Sequence, residues 1–175
     1  ITGATLKADT AVTPLSSNTG AESKFDTVIR TRIGSPYVIA RMEQAIGNVV
    51  GYEANGGFLL GYCAAGPLGA LPPLMTRDAV LPLVAPLALA RDAGGLAALV
   101  AAEPARFTAA DRLQEVPTAR SNALVTLFDT DTGKRAAFLA QLNGVEVGVD
   151  RTDGLRMTLT DGRIVHLRPS GNAPE

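Results

Sequence analysis

Arg168, Ser170, Gly171 and Asn172 fall in the closing string RPSGNAPE. A phosphate is held by several donors converging on one point, and a guanidinium, a hydroxyl and backbone N–H groups bunched by a glycine turn supply them. Pro-Ser-Gly-Asn is equally a plain turn after an edge strand. In GYEANGG, Gly51 to Gly57, Glu53 and Asn55 sit on a glycine-rich tip. A carboxylate beside a carboxamide offers the acceptors and donors that adjacent sugar hydroxyls need, unless this is a hairpin turn with a surface glutamate. In RTRIGSP, Arg30 and Arg32 stand two apart ahead of a helix start. Such spacing on a strand shares one face, and a helix N-terminus favours anions, although a solvated strand edge has the same composition. His166 is two residues before Arg168. Without a nucleophile or an oriented acid it reads as a surface or packing residue.

The elements that must position these residues are partly legible. Asp26 to Ile33 reads as a strand, and GSPYVIARMEQAIGN as a helix with Ser35 as N-cap, Pro36 in its first turn and Gly47 just beyond its end. Val38, Met42 and Ala45 share one face of that helix. NVVGYE and GFLLGY read as two strands joined by ANGG, which places Glu53 and Asn55 at an exposed tip. From Thr76 to Glu103 the pattern is helical, broken by Pro82, Pro86 and Gly94-Gly95 into two helices. Residues Ala101 to Ser121 are rich in charge and proline and read as a connection between domains. Asn122 to Asn143 is helical in pattern with a break near DTDTGK. Val145, Val147 and Val149 then alternate, and Asp153-Gly154 and Asp161-Gly162 at strand spacing mark an antiparallel meander that leads into Arg168.

The chain's 175 residues allow one domain or two small ones, and 46% hydrophobic residues suffice for a core. A net charge of −1 gives no general attraction to nucleic acid or anionic lipid, so neither partner is expected. One cysteine, Cys63, and one histidine exclude an internal disulfide and a zinc cluster, and a reducing, cytoplasmic setting is the simplest reading. The longest apolar run, Ala79 to Ala90, contains two prolines and is shorter than the roughly 20 residues of a membrane span. The opening ITGATLKADT lacks the features of a signal peptide and has no initiator methionine, so both ends read as cut.

In order and spacing, TPLSSNTGAE, RTRIGSPYVIARM, GYEANGG and RPSGNAPE resemble the third and fourth domains of the phosphohexomutase family, whose members include bacterial phosphomannomutase/phosphoglucomutase. The resemblance covers nearly the whole chain. It implies a layered α/β third domain at 1–103 carrying the sugar-recognition loop, a linker at 104–120, and a partial α+β fourth domain with an antiparallel meander at 121–175 carrying the phosphate-binding loop. The family's sugar loop is Gly-Glu-x-Ser-Gly-His; Glu53 keeps its glutamate, Asn55 stands for serine and Gly57 for histidine. Its phosphate loop is Arg-x-Ser-Gly-Thr-Glu-Pro, matched by Arg168, Ser170, Gly171 and Pro174, with Asn172 for threonine and Ala173 for glutamate. Arg32 and Ser35 are implied to approach the substrate, and Ser17-Asn18 match a Ser-Asn pair of the third domain.

The implied activity interconverts mannose 6-phosphate and mannose 1-phosphate through an enzyme phosphoserine and a hexose 1,6-bisphosphate, with Mg2+ in the intact enzyme. The family's Ser-His-Asn-Pro and Asp-Gly-Asp-Gly-Asp-Arg strings, which carry the phosphoserine and the magnesium, do not occur here. This chain is therefore expected to be a C-terminal fragment that binds hexose phosphates, holds neither catalytic serine nor metal, is inactive alone, and works with domains I and II of the same polypeptide. Phosphoglucomutase and phosphoglucosamine mutase are alternatives within the family, and a non-catalytic phosphosugar-binding module is the alternative of another class.

Overall fold

Short apolar runs separated by glycine, proline and asparagine build the first half of the chain into a sheet covered on both sides. The computed structural model describes residues 1–169. It divides into two compact units, Ile1–Thr108 and a second that begins at Ala109.

After a short helix, α1 (Thr2–Thr5), strand β1 (Thr10–Pro14) is buried at every position. Strands β2 (Thr27–Thr31) and β3 (Val49–Tyr52) flank it in parallel, and β4 (Phe58–Leu60) joins β3 antiparallel. A two-stranded hairpin, β5 (Ala64–Gly66) and β6 (Gly69–Leu71), intervenes before β7 (Leu74–Asp78) closes the order β2-β1-β3-β4-β7. Period-two alternation sends Val12, Val49 and Leu59 to one face, against Val38 and Met42 of helix α2 (Ser35–Met42). It sends Ala11, Val50, Phe58 and Leu60 to the other, against Leu6, Phe25 and Leu81. A strand buried on both faces has no polar alternation, and so β1 is not announced by its sequence.

Three boundaries differ from the sequence expectation. Ser35 is the first helical residue of α2, and the cap position falls to Gly34, whose φ of +133° is open to glycine. The helix ends at Met42, with Glu43 as its cap, so Gly47 lies well past its end. Thr76 to Asp78 are strand, because β7 pairs with β4; the Asp78 carboxylate then accepts from the N–H groups of Val80 and Leu81 and starts helix α3 (Leu81–Asp92). Helix α4 (Leu96–Ala101) follows the Gly94-Gly95 break.

Residues 104–117, of which 109–117 open the second unit, precede helix α5 (Thr118–Thr130), so 118–120 are its first turn. Helix α6 (Thr132–Ala140) is capped by the Asp131 carboxylate, which accepts from the Lys134 N–H at 3.0 Å. Strands β8 (Glu146–Asp150), β9 (Leu155–Leu159) and β10 (Ile164–Leu167) form the antiparallel meander, in order β10-β9-β8. Leu155, Met157 and Leu159 of β9 are buried with Leu139 of α6. A register shift between Glu146 and Gly148 breaks the valine alternation: Val149 packs on the core while Val145 and Val147 are exposed. Arg135 is buried, forks onto Glu146 at 2.6 and 2.9 Å, and donates to the Phe128 carbonyl at 2.6 Å, binding both helices to β8.

The entry to β3 depends on a charged acceptor. The Asn48 N–H donates to the Asp9 carboxylate at 3.0 Å and holds its pKa below the ordinary value. A carboxyl depressed in the folded state contributes stability above its unfolded pKa, and that contribution fades as pH falls through the folded value. Asp9→Asn, which keeps an acceptor but does not titrate, is expected to flatten the acid limb of the stability profile in denaturant titrations below the ordinary Asp range. An unchanged acid slope contradicts the assignment.

Candidate functional site

The loop between β3 and β4 closes on itself. The Glu53 N–H donates to the Gly57 carbonyl at 2.9 Å, the Gly56 N–H to the Glu53 carbonyl at 3.0 Å, and the Gly57 N–H to Asn55 Oδ1 at 3.1 Å. This closure turns the Glu53 side chain inward. Asn55 is exposed as expected, but Glu53 is only 8% accessible and is not at an exposed tip. A carboxylate taken from water needs donors, and three elements deliver them to one oxygen. Ser35 Oγ donates to Glu53 Oε2 at 3.1 Å, Arg77 Nε lies 3.3 Å from the same oxygen, and Asn55 Nδ2 reaches it at 3.5 Å. Among the described residues Oε1 receives no hydrogen bond, which leaves it as the oxygen open to a ligand hydroxyl.

Ser35 is available for this because Gly34 holds the cap position. The hydroxyl points across to the β3–β4 loop instead of back into its own helix. Arg77 is the next-to-last residue of β7. It is the residue that sequence reasoning missed, since Thr76 onward read as helix and the pairing of Phe58 with Asp78 that brings it beside Gly57 is a long-range contact. A β7 strand signal existed in the Pro72-Pro73 break before Leu74.

Behind the loop, Thr13 and Ser17 fix the exit of β1. Thr13 Oγ1 lies 2.6 Å from Ser17 Oγ and donates to the Tyr52 carbonyl at 2.9 Å. A hydroxyl has one proton, so Ser17 is the donor in the first of these bonds. Asn18 caps the 3-10 turn Thr19–Ser23, accepting from the Gly20 N–H at 2.9 Å. Burial pushes the Tyr52 phenol above its ordinary pKa.

The two strand arginines part company. Arg30 donates to the carbonyls of Pro14, Ser17 and Asn18 at 3.2, 2.6 and 3.0 Å and pairs with Glu22 at 2.6 Å, which makes it a clamp on the backbone rather than an open anion site. Arg32 lies beyond the end of β2, exposed, with its guanidinium 5.3 Å from the centre of the Tyr37 ring. The structure thus brings Ser35, Glu53, Asn55 and Gly57 together, with Arg32 on the neighbouring face of Tyr37.

Arg168 belongs to the second unit, directly after β10. Among the described residues its ion pair is with Asp153 at 3.9 Å. His166 Nε2 is 2.6 Å from the Asp153 carbonyl, and since a carbonyl only accepts, that nitrogen carries a proton. Ser170, Gly171 and Asn172 lie outside the described residues. No helix among the described residues is long and apolar enough to cross a membrane.

Residues 2–107 match the family model of the phosphoglucomutase/phosphomannomutase alpha/beta/alpha domain III. Two curated relatives are each 42% identical to the chain: a phosphomannomutase of Sinorhizobium fredii (strain NBRC 101917 / NGR234) over 176 residues and one of Salmonella muenchen over 178. Both alignments take in 97% of this chain, but it spans only 37% and 36% of those two proteins' lengths. The chain belongs to the phosphoglucomutase/phosphomannomutase family.

The Thr13 hydroxyl serves both Ser17 and the carbonyl next to Glu53. Thr13→Val keeps the shape and removes both bonds, so a loss of about 1–3 kcal/mol in urea unfolding is expected. A change within a few tenths of a kcal/mol contradicts the network.

Proposed function

We propose, with that family membership as premise, that the chain is the sugar-reading and phosphate-gripping part of a phosphomannomutase acting on mannose 6-phosphate and mannose 1-phosphate. The observation that carries this reading is the inward-turned Glu53 carboxylate, whose Oε2 is hydrogen-bonded by Ser35 and Asn55 and ion-paired with Arg77, while among the described residues Oε1 receives no hydrogen bond. An ionised acceptor held rigidly at a loop suits adjacent hydroxyls on a sugar ring. That both relatives are named phosphomannomutase supports the choice of mannose phosphates over glucose or glucosamine phosphates.

In this reading an enzyme phosphoserine phosphorylates the free hydroxyl of either monophosphate. The resulting hexose 1,6-bisphosphate turns over and returns its other phosphoryl group to the serine. Arg168, with Ser170, Gly171 and Asn172, grips the phosphate that is not reacting, and Glu53 reads the ring in both orientations, with Ser35, Asn55, Gly57 and Arg32 around it. Binding energy from the remote phosphate is thereby used to orient the reacting end. The serine and domains I and II that carry it belong to the remainder of the enzyme.

Magnesium is not assigned to these residues. No group of three or more His, Cys, Asp or Glu side chains among the described residues could hold a metal ion. The exposed free thiol of Cys63 suits a reducing compartment, and we assign the enzyme to the cytoplasm.

The test is turnover of mannose, glucose and glucosamine phosphates by the full-length protein, with mannose phosphates expected to have the highest kcat/KM. Binding without turnover would favour a non-catalytic phosphosugar module. In the same protein, Arg168→Ala removes charge-assisted hydrogen bonds and is expected to raise KM about 10–100-fold. An unchanged KM contradicts the phosphate role.

A further inference from the structure

The loop Gly51 to Gly57 contains no cation of its own. One is delivered from β7, and Gly57 makes room for it: a Cβ built at Gly57 would lie 2.8 Å from Arg77 Nε. Gly57 and Arg77 are thus complementary, since any side chain at 57 would push the guanidinium off Glu53. The Arg77 side chain is 52% accessible while that of Glu53 is 7%. Arginine has five N–H donors in a planar fork. Its Nε lies 3.3 Å from Glu53 Oε2 in an ion pair, and among the described residues the four donors on the terminal nitrogens make no hydrogen bond.

We propose that Arg77 is a specificity-determining donor of the sugar site: it aligns Glu53 through Nε and presents its terminal N–H pair to the ring hydroxyl next to the one accepted by Glu53 Oε1. This rests on the reading of the Glu53 loop as the sugar site. Asn55 is the weaker donor: its Oδ1 is committed to the Gly57 N–H, one of its two Nδ2 protons faces Glu53, and only the other is left for a ligand, against four on the Arg77 terminal nitrogens. A phosphate is a poor ligand here, because the pair of Glu53 and Arg77 has no net charge and a dianion beside the carboxylate is repelled. Neutral, adjacent hydroxyls that both give and take a hydrogen bond match a carboxylate set against a guanidinium.

The experiment compares Arg77→Ala, Arg77→Lys and Glu53→Gln in the full-length protein, using hexose monophosphates, their monodeoxy analogues, and inorganic phosphate as a competitive inhibitor. Arg77→Ala is expected to raise KM for the hexose phosphate about 10–100-fold. It should also erase the discrimination against one monodeoxy analogue and leave inhibition by phosphate unchanged. Arg77→Lys should restore only part of the loss, because an ammonium cannot span both Glu53 and the hydroxyl with one fixed fork. If Arg77→Ala keeps both KM and deoxy discrimination within twofold while Glu53→Gln loses them, Arg77 is only a surface partner and the inference fails. A matching loss of phosphate inhibition in Arg77→Ala makes Arg77 a phosphate ligand and also overturns it. If Glu53→Gln is without effect as well, the sugar-site reading itself fails, and the role of Arg77 with it.

Discussion

Removing a carboxylate from water is the constraint around which the first unit is arranged. Glu53 is turned inward by the closure of its own loop and has to be met by donors or lose several kcal/mol. Those donors come from three separate places in the sequence: the first residue of α2, the loop itself and the end of β7. Each demands something of the backbone. Ser35 is free to donate only because Gly34 adopts a cap conformation with positive φ, and Arg77 reaches across only because residue 57 has no side chain. One buried charge therefore fixes the relative positions of a helix start, a hairpin and an exposed strand residue.

The sheet supplies the rigidity this arrangement needs. Residues of β1, β3 and β4 alternate between two apolar layers, so neither β3 nor β4 can slip by one residue without moving its core residues to the opposite layer. Glu53 follows β3 immediately, and Thr13 ties the last carbonyl of β3 to the exit of β1. The carboxylate is held by packing at one remove and by hydrogen bonds directly. The second unit uses a different device: β9 places three large residues against the helices, and the buried Arg135 links α5, α6 and β8 through one guanidinium.

Much of this was legible where local chemistry decides structure. The two Asp-Gly dipeptides mark the turns of the meander, Gly94-Gly95 separates two helices, and ANGG joins two strands. What was not legible depends on distant partners. The strand at β1 has no polar face to betray it, and Thr76 to Asp78 form a strand only because β4 is there to pair with. The bulge that exposes Val147 is set by pairing with β9 rather than by the valines themselves. Residue types pointed to Glu53 and Asn55 as a sugar-facing pair, but its burial and the arrival of Arg77 follow from tertiary packing. Arg30 and Arg32 looked equivalent in the sequence, and the backbone carbonyls of Pro14, Ser17 and Asn18 separate them by engaging only the first.

The most direct measurement is a crystal structure of the full-length protein with mannose 1-phosphate bound. Expected is a ring hydroxyl within hydrogen-bonding distance of Glu53 Oε1, with Oε2 still held by Ser35 and Arg77. A sugar ring bound elsewhere, with the Glu53 carboxylate untouched, would contradict the role of this loop as the sugar reader.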